Sequence, residues 1–210
     1  MKKILAIPQA IMLLGVTKVV HLVTAESLKN TLKLPPGLGH FWERARTVAA
    51  MQASIAKHLC LNPDSSYLMG LFHDAAVPIL ATEYPNYYLT LRAMHSASQE
   101  ICTAEYAQFN VCHSALSSLM ARSWYMPKPL VEAIQYHHKH DIFALGLPKP
   151  VLNILTVHLI CDFLYDSYSG EVDLHYPLIE GQVREYLNLS DDEHYQIVVD
   201  LALDRITTDV

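Results

Sequence analysis

Apolar residues recur along this chain at three- and four-residue intervals, the spacing that lays one face of an α-helix against a core. Pro8 opens a short helix through Leu14, which Gly15 ends. Thr17 caps the next one, where Val19, Val20, Leu22, Val23, Leu28, Leu32 and Leu34 keep helical spacing until Pro35-Pro36-Gly37 stops it. A long helix then runs on Phe41, Trp42, Ala45, Val48, Ala49, Ile55, Ala56 and Leu59 and ends at Leu61-Asn62-Pro63. Asp64 or Ser65 caps a helix carrying Tyr67, Leu68, Leu71 and Phe72, after which Pro78 bends the chain by disfavouring helical geometry at Val77. Ser96 with Gln99 makes a capping-box pattern for a helix through Phe109, and Asn110 caps one reaching Trp124. Pro127 and Pro129 open a helix from Leu130 to about Lys139, and Pro148 and Pro150 open another from Val151 to about Tyr168, stopped by Gly170. A last pair follows, its second helix capped by Ser190 with Glu193. No stretch alternates as a strand does, and no repeat or low-complexity linker is visible, so the pattern predicts an all-α fold.

Composition narrows the picture. At 210 residues the chain can bury a sizeable core without staples, and the Pro-Pro-Gly break predicts a seam between N-terminal helices (1–36) and a main helical domain (37–210). Cys60, Cys102, Cys112 and Cys161 stand far apart in apolar stretches with no Cys-x-x-Cys spacing, which predicts reduced core residues and no zinc site. A net charge of −6 with no basic cluster argues against nucleic acid as a partner. Lys2-Lys3 before an apolar run imitates a secretory signal, but Pro8, Gln9, Lys18 and His21 interrupt it. The expectation is a cytoplasmic chain with no membrane span. Tyr84, Tyr87 and Tyr88 suit half-buried packing at helix junctions better than a partner surface. No serine or cysteine nucleophile stands at recognisable spacing from a base, and the seven glycines form no phosphate-cradling loop.

What remains is a set of polar residues set into apolar helices. His73 and Asp74 adjoin at a helix end, where an imidazole and a carboxylate can grip one divalent ion if further ligands converge. His113 falls in the first turn of its helix, where the dipole disfavours protonation; His137 and His138 fall near a C-terminal end, where it favours protonation. His158 and Asp162 share a face four residues apart and read, by themselves, as a buried His–Asp pair.

The order His73-Asp74, His113, His137-His138, Asp162 resembles the HD superfamily of metal-dependent phosphohydrolases, and more closely its HDOD branch, the HD-related output domain of bacterial signalling proteins. The likeness rests on Gln9-Ala-Ile-Met-Leu-Leu-Gly15, Phe41-Trp42 with Val48-Ala49, Gly70-Leu-Phe-His-Asp74, Glu105 before His113, Trp124-Tyr-Met-Pro127 and Ala133-Ile-Gln-Tyr-His-His138. It implies an HD-domain-like multi-helix bundle over most of residues 7 to 165, with residues 1–36 the remnant of a front subdomain that is longer in the family; a truncated relative or a fragment is therefore expected.

The resemblance also implies an ancestral metal set of His73, Asp74, His113, His137, His138 and Asp162. Catalytic relatives open that set with a histidine where this chain has Arg44, whose guanidinium stays protonated and offers no lone pair. The family's glycine and lysine after His-Asp are here Ala76 and Val77. His40 replaces the missing ligand only if the helix shifts by one turn. Arg44 is instead expected near Asp74 and Asp162, supplying in a salt bridge the positive charge an ion supplies in the enzymes. The leading expectation is a non-catalytic signalling module with a degenerate metal site, signalling proteins as partners and a homodimer as an option. The alternatives are a phosphohydrolase acting on a nucleotide or cyclic dinucleotide, and a metal or small-ligand sensor without turnover. The cofactor is none, or a divalent manganese, iron, magnesium or zinc ion.

Overall fold

The computed structural model describes residues 15–35, 37–95, 101–139 and 141–208. Among them are eleven helices and no strand, as the apolar spacing predicts. The helix expected over Pro8–Leu14, the Gln9–Gly15 likeness up to Leu14, and the Ser96/Gln99 capping box lie outside the described residues.

The chain divides into two units, Met1–Lys33 and Leu34–Val210. The first holds α1 (Val16–Thr31), which starts one residue before the expected Thr17 cap, on Gly15 with a φ of 80°. The second holds α2 (Phe41–His58), α3 (Pro63–Phe72), α4 (Val77–Glu83), α5 (Tyr87–His95), α6 (Ile101–Phe109), α7 (His113–Ser123), α8 (Lys128–Tyr136), α9 (Lys149–Ser169), α10 (Tyr176–Tyr186) and α11 (Asp192–Thr208).

The helix-end chemistry corrects several expected caps. Asn62, not Asp64 or Ser65, caps α3: its side-chain oxygen accepts from the N–H groups of Asp64 and Ser65 at 3.0 Å each, and Pro63 fills the first helical position. Asn110 closes α6 in the left-handed region (φ 58°) and does not cap α7, whose first turn begins from Cys112. Asp191, not Ser190, accepts the His194 N–H at 2.9 Å at the start of α11. Val77 is the first residue of α4, with Pro78 in its first turn, so the break after His73-Asp74 comes from the turn at 73–76.

Helices α2 and α10 have left-handed residues just past their ends, Cys60 and Asn188: Leu61 N–H reaches back to the Ala56 carbonyl at 2.8 Å and Leu189 N–H to that of Arg184 at 2.7 Å. This turn position explains why Cys60 is exposed, against the expected core placement, while Cys102, Cys112 and Cys161 are buried.

Among the described residues of the second unit, two hydrophobic clusters bear on the site. One joins α2, α9, α10 and α11 through Val48, Met51, Ile55, Val157, Ile160, Val183 and Val198. The other gathers Leu38, Val77, Leu80, Tyr87, Leu91 and Ile101 around α4, α5 and α6. Tyr87 is fully buried there, beyond the half-buried packing expected of it. Helices α2 and α3 meet most closely where Gly70 faces Ala49: a Cβ at Gly70 would lie 2.4 Å from the Ala49 Cα. That approach carries the end of α3, with His73 and Asp74, against the helix that bears Arg44.

Candidate functional site

The site grows from helix ends. His73 is the C-cap of α3 and His137 the C-cap of α8, positions where the last carbonyls lack intrahelical partners. Each imidazole uses one: His73 Nδ1 donates to the Gly70 carbonyl at 3.0 Å and His137 Nδ1 to that of Ile134 at 2.7 Å. With Nδ1–H tied back, each Nε2 turns into the interior. There His73 Nε2 lies 3.2 Å from Asp74 Oδ2 and His137 Nε2 lies 3.6 Å from Asp74 Oδ1, both buried and neither in hydrogen-bond geometry with any described protein group.

His113, at the first position of α7, completes the convergence. Its Nδ1 donates to the Glu105 carboxylate at 2.7 Å, while its Nε2 stands 2.8 Å from His138 Nε2 and 3.3 Å from Asp74 Oδ1. Asp74, His113, His137 and His138 thus offer ligand atoms that all lie within 4.8 Å of one another. His73, His158 and Asp162 form a second such group beside it. Six sequence-predicted residues from α7, α8, α9 and the end of α3 therefore come together, and His158 joins them.

The first group suits a divalent ion. Its His137 Nε2 is buried with no hydrogen-bond partner among the described residues, His113 and His137 have the opposite nitrogen fixed by an acceptor, and the Asp74 carboxylate completes a set suited to zinc, manganese or iron. The second group does not suit one. Arg44 donates to Asp162 at 2.6 Å and to Asp166 at 2.5 Å, with its guanidinium 5.0 Å over the Tyr165 ring. The expected bond to Asp162 is present, but the second partner is Asp166, while Asp74 acts on Arg44 only through its charge. Asp166 stands four residues after Asp162 on the same helix face, so that spacing was the available signal.

His158 departs from the expected His–Asp pair. Its Nδ1 accepts from the buried Gln52 amide at 2.8 Å and its ring packs 4.7 Å from that of His73, while the Asp162 carboxylate turns to Arg44. Gln52, on the opposite helix, carried no local signal. His40 does not replace the missing ligand: it lies exposed, 2.9 Å from Glu43.

Burial and charge set the protonation states. Burial opposes charge on His113, but hydrogen bonds to Asp74 and Glu105 overcome it and lift the imidazole well above its usual range. That direction runs against the dipole, which favours a neutral His113. Burial pushes His137 down instead, against the protonation expected of a helix C-terminus, and pushes His158 well below its ordinary value. Asp74, despite its burial, is held well below the carboxylate range by His73, His113 and His137. Asp162 and Asp166 share one guanidinium: against the cost of burial Arg44 holds Asp162 at about 2, whereas burial raises Asp166 to about 7.

A third group, Cys102, Glu105 and Cys112, also lies within 4.8 Å. It is a poor ligand set, because Glu105 is engaged by His113 and because hydrogen bonding with Cys102, then burial, raises the Cys112 thiol. A cavity of about 350 Å³ opens on Arg44 and Asp74, walled by Leu38, Phe41, Val77 and Leu91.

The HDOD domain family model matches residues 1–140, so α9, with His158, Asp162 and Asp166, lies beyond the match. Among solved structures, an HDOD domain protein of unknown function from Geobacter sulfurreducens is 22% identical, with a TM-score of 0.69 over 99% of this chain and 74% of that one. A candidate phosphohydrolase from Shewanella amazonensis SB2B is 19% identical, with a TM-score of 0.69 over 98% and 73%. A candidate signal transduction protein from Marinobacter aquaeolei VT8 is 19% identical, with a TM-score of 0.69 over 93% of this chain and 43% of that one. At these identities the likeness concerns the fold. A comparison with curated proteins gives no significant match.

Proposed function

Because the chain belongs to the HDOD domain family, we propose that it is a non-catalytic signal-transduction module whose metal site has lost one half to a salt bridge. The observation that carries this reading is Arg44, bound to Asp162 and Asp166 at 2.6 and 2.5 Å. The Asp162 carboxylate, which the family resemblance assigns to an ion, is committed to a guanidinium, and a guanidinium cannot ligate a cation. Val77 adds to this, as a buried apolar side chain where catalytic relatives carry a lysine. A second ion beside Asp162 would have to displace Arg44 and leave its charge unpaired.

The other half supports a single-ion sensor as part of the same reading, since Asp74, His113, His137 and His138 retain ligand atoms around one point. An ion held there would polarise a bound water or phosphoryl oxygen. His137 keeps its Nε2 directed at it through the Ile134 carbonyl. The Marinobacter protein's description as a signal transduction protein agrees with signalling proteins as partners. A phosphohydrolase acting on a nucleotide or cyclic dinucleotide is the less favoured reading, because its second ion has no site.

The test is hydrolysis of bis-p-nitrophenyl phosphate, a nucleoside monophosphate and a cyclic dinucleotide with manganese, iron, magnesium or zinc supplied. The reading predicts no turnover with any of them. Turnover that disappears in Asp74→Ala would establish the enzyme instead.

A further inference from the structure

Behind the one-ion group stands a buried chain of hydrogen bonds that ligation itself does not use. Tyr87 on α5 and Glu105 on α6 are both fully buried, and the Tyr87 hydroxyl donates to Glu105 Oε1. Glu105 also accepts the His113 backbone N–H at 3.1 Å and His113 Nδ1–H at 2.7 Å. A carboxylate away from water needs its lone pairs occupied, and here three donors from two other helices occupy them. The consequence falls on His113. With Nδ1–H fixed on Glu105, rotation of the ring is blocked and Nε2 faces Asp74, 3.3 Å away, and His138, 2.8 Å away. His73 and His137 take the same orientation from backbone carbonyls; His113, at a helix start, has no such carbonyl behind it and depends on a side chain.

We propose that Glu105 and Tyr87 are positioning residues of the one-ion site: Tyr87 holds Glu105, and Glu105 holds His113 with Nε2 directed at the ion. This rests on the single-ion reading above. Neither residue touches the ion, yet both set how tightly it is held, and α5 is thereby tied to the occupancy of the site.

The experiment is a cobalt(II) titration of the full chain, followed by visible absorption, on wild type, Glu105→Gln, Tyr87→Phe and His113→Ala. Wild type takes one cobalt; Glu105→Gln binds it roughly 10–100-fold more weakly with shifted bands, as loss of such an outer partner does elsewhere. Tyr87→Phe moves affinity and bands the same way by a smaller factor, and His113→Ala loses the ion. A merely structural role would lower the melting temperature and leave the bands in place. Wild-type affinity and bands in both Glu105→Gln and Tyr87→Phe, with the ion lost in His113→Ala, would overturn the positioning role and leave the one-ion reading standing. No cobalt on wild type would overturn both. Imidazole nitrogen shifts read the relay without any ion: His113 Nδ1 carries a proton in wild type, and finding it bare would also overturn the proposal.

Discussion

A guanidinium gripped by two carboxylates is the residue-scale fact on which the functional reading turns. Arg44 is only about one-fifth exposed, and Asp166 less so, so removing the cation strands two acids away from water. Arg44→Ala should cost roughly 3–5 kcal/mol in urea unfolding, the range for breaking a buried pair on one side. Unchanged stability would mean that the acids need no cation. His158 gives a second prediction. Its folded-state pKa is depressed, first by burial and then by His73, so the unfolded chain binds a proton that the native chain refuses. Stability from this group is full above the unfolded value, about 6.5, and is lost as pH falls below it, by up to about 1.4 kcal/mol per pH unit. Between pH 6.5 and 5 wild type should therefore lose stability more steeply than His158→Asn; equal slopes in denaturant melts would remove His158 from the account. Much at this scale was legible in sequence: the ordered His and Asp set, and the Arg44–Asp162 bond. Asp166 is legible by its i+4 spacing from Asp162. Gln52 and the role of Glu105 were not legible, because each depends on a partner on another helix.

At the scale of elements, the site depends on how closely α3 can lie on α2. Gly70 permits it, since an added Cβ would meet Ala49 backbone atoms at 2.4 and 2.5 Å, and no rotamer change relieves a backbone clash. Gly70→Ala should destabilise by roughly 1–3 kcal/mol or more in thermal or urea melts. It should also weaken cobalt binding by moving Asp74; a variant as stable as wild type would show that the helices do not need this approach. The long helices α2 and α9 were predictable because apolar spacing, proline starts and glycine or proline stops all agree there. Helices α4 and α5 were not foreseen: at 7 and 9 residues they carry too little periodicity to stand out, and Pro78 near one start and clustered tyrosines in the other resemble a junction. Left-handed Cys60, Tyr125 and Asn188 show the same limit, since helix endings are usually signalled by glycine.

For the whole molecule, an HDOD fold brings helix ends together around Asp74 and then divides the site between a salt bridge and a set of candidate ion ligands. The sequence order of histidines and aspartates announced the meeting point, and Arg44 announced its bond to Asp162 on α9 but not the share that Asp166 takes of the guanidinium. No helix among the described residues is long and apolar enough to cross a membrane. The most direct test of the central claim is metal stoichiometry by elemental analysis, on chelator-stripped wild type and Arg44→His reloaded with manganese. The account predicts no more than one ion per wild-type chain and a second ion in Arg44→His, because an imidazole restores a lone pair and releases Asp162. Two ions on wild type, with Arg44 intact, would contradict it.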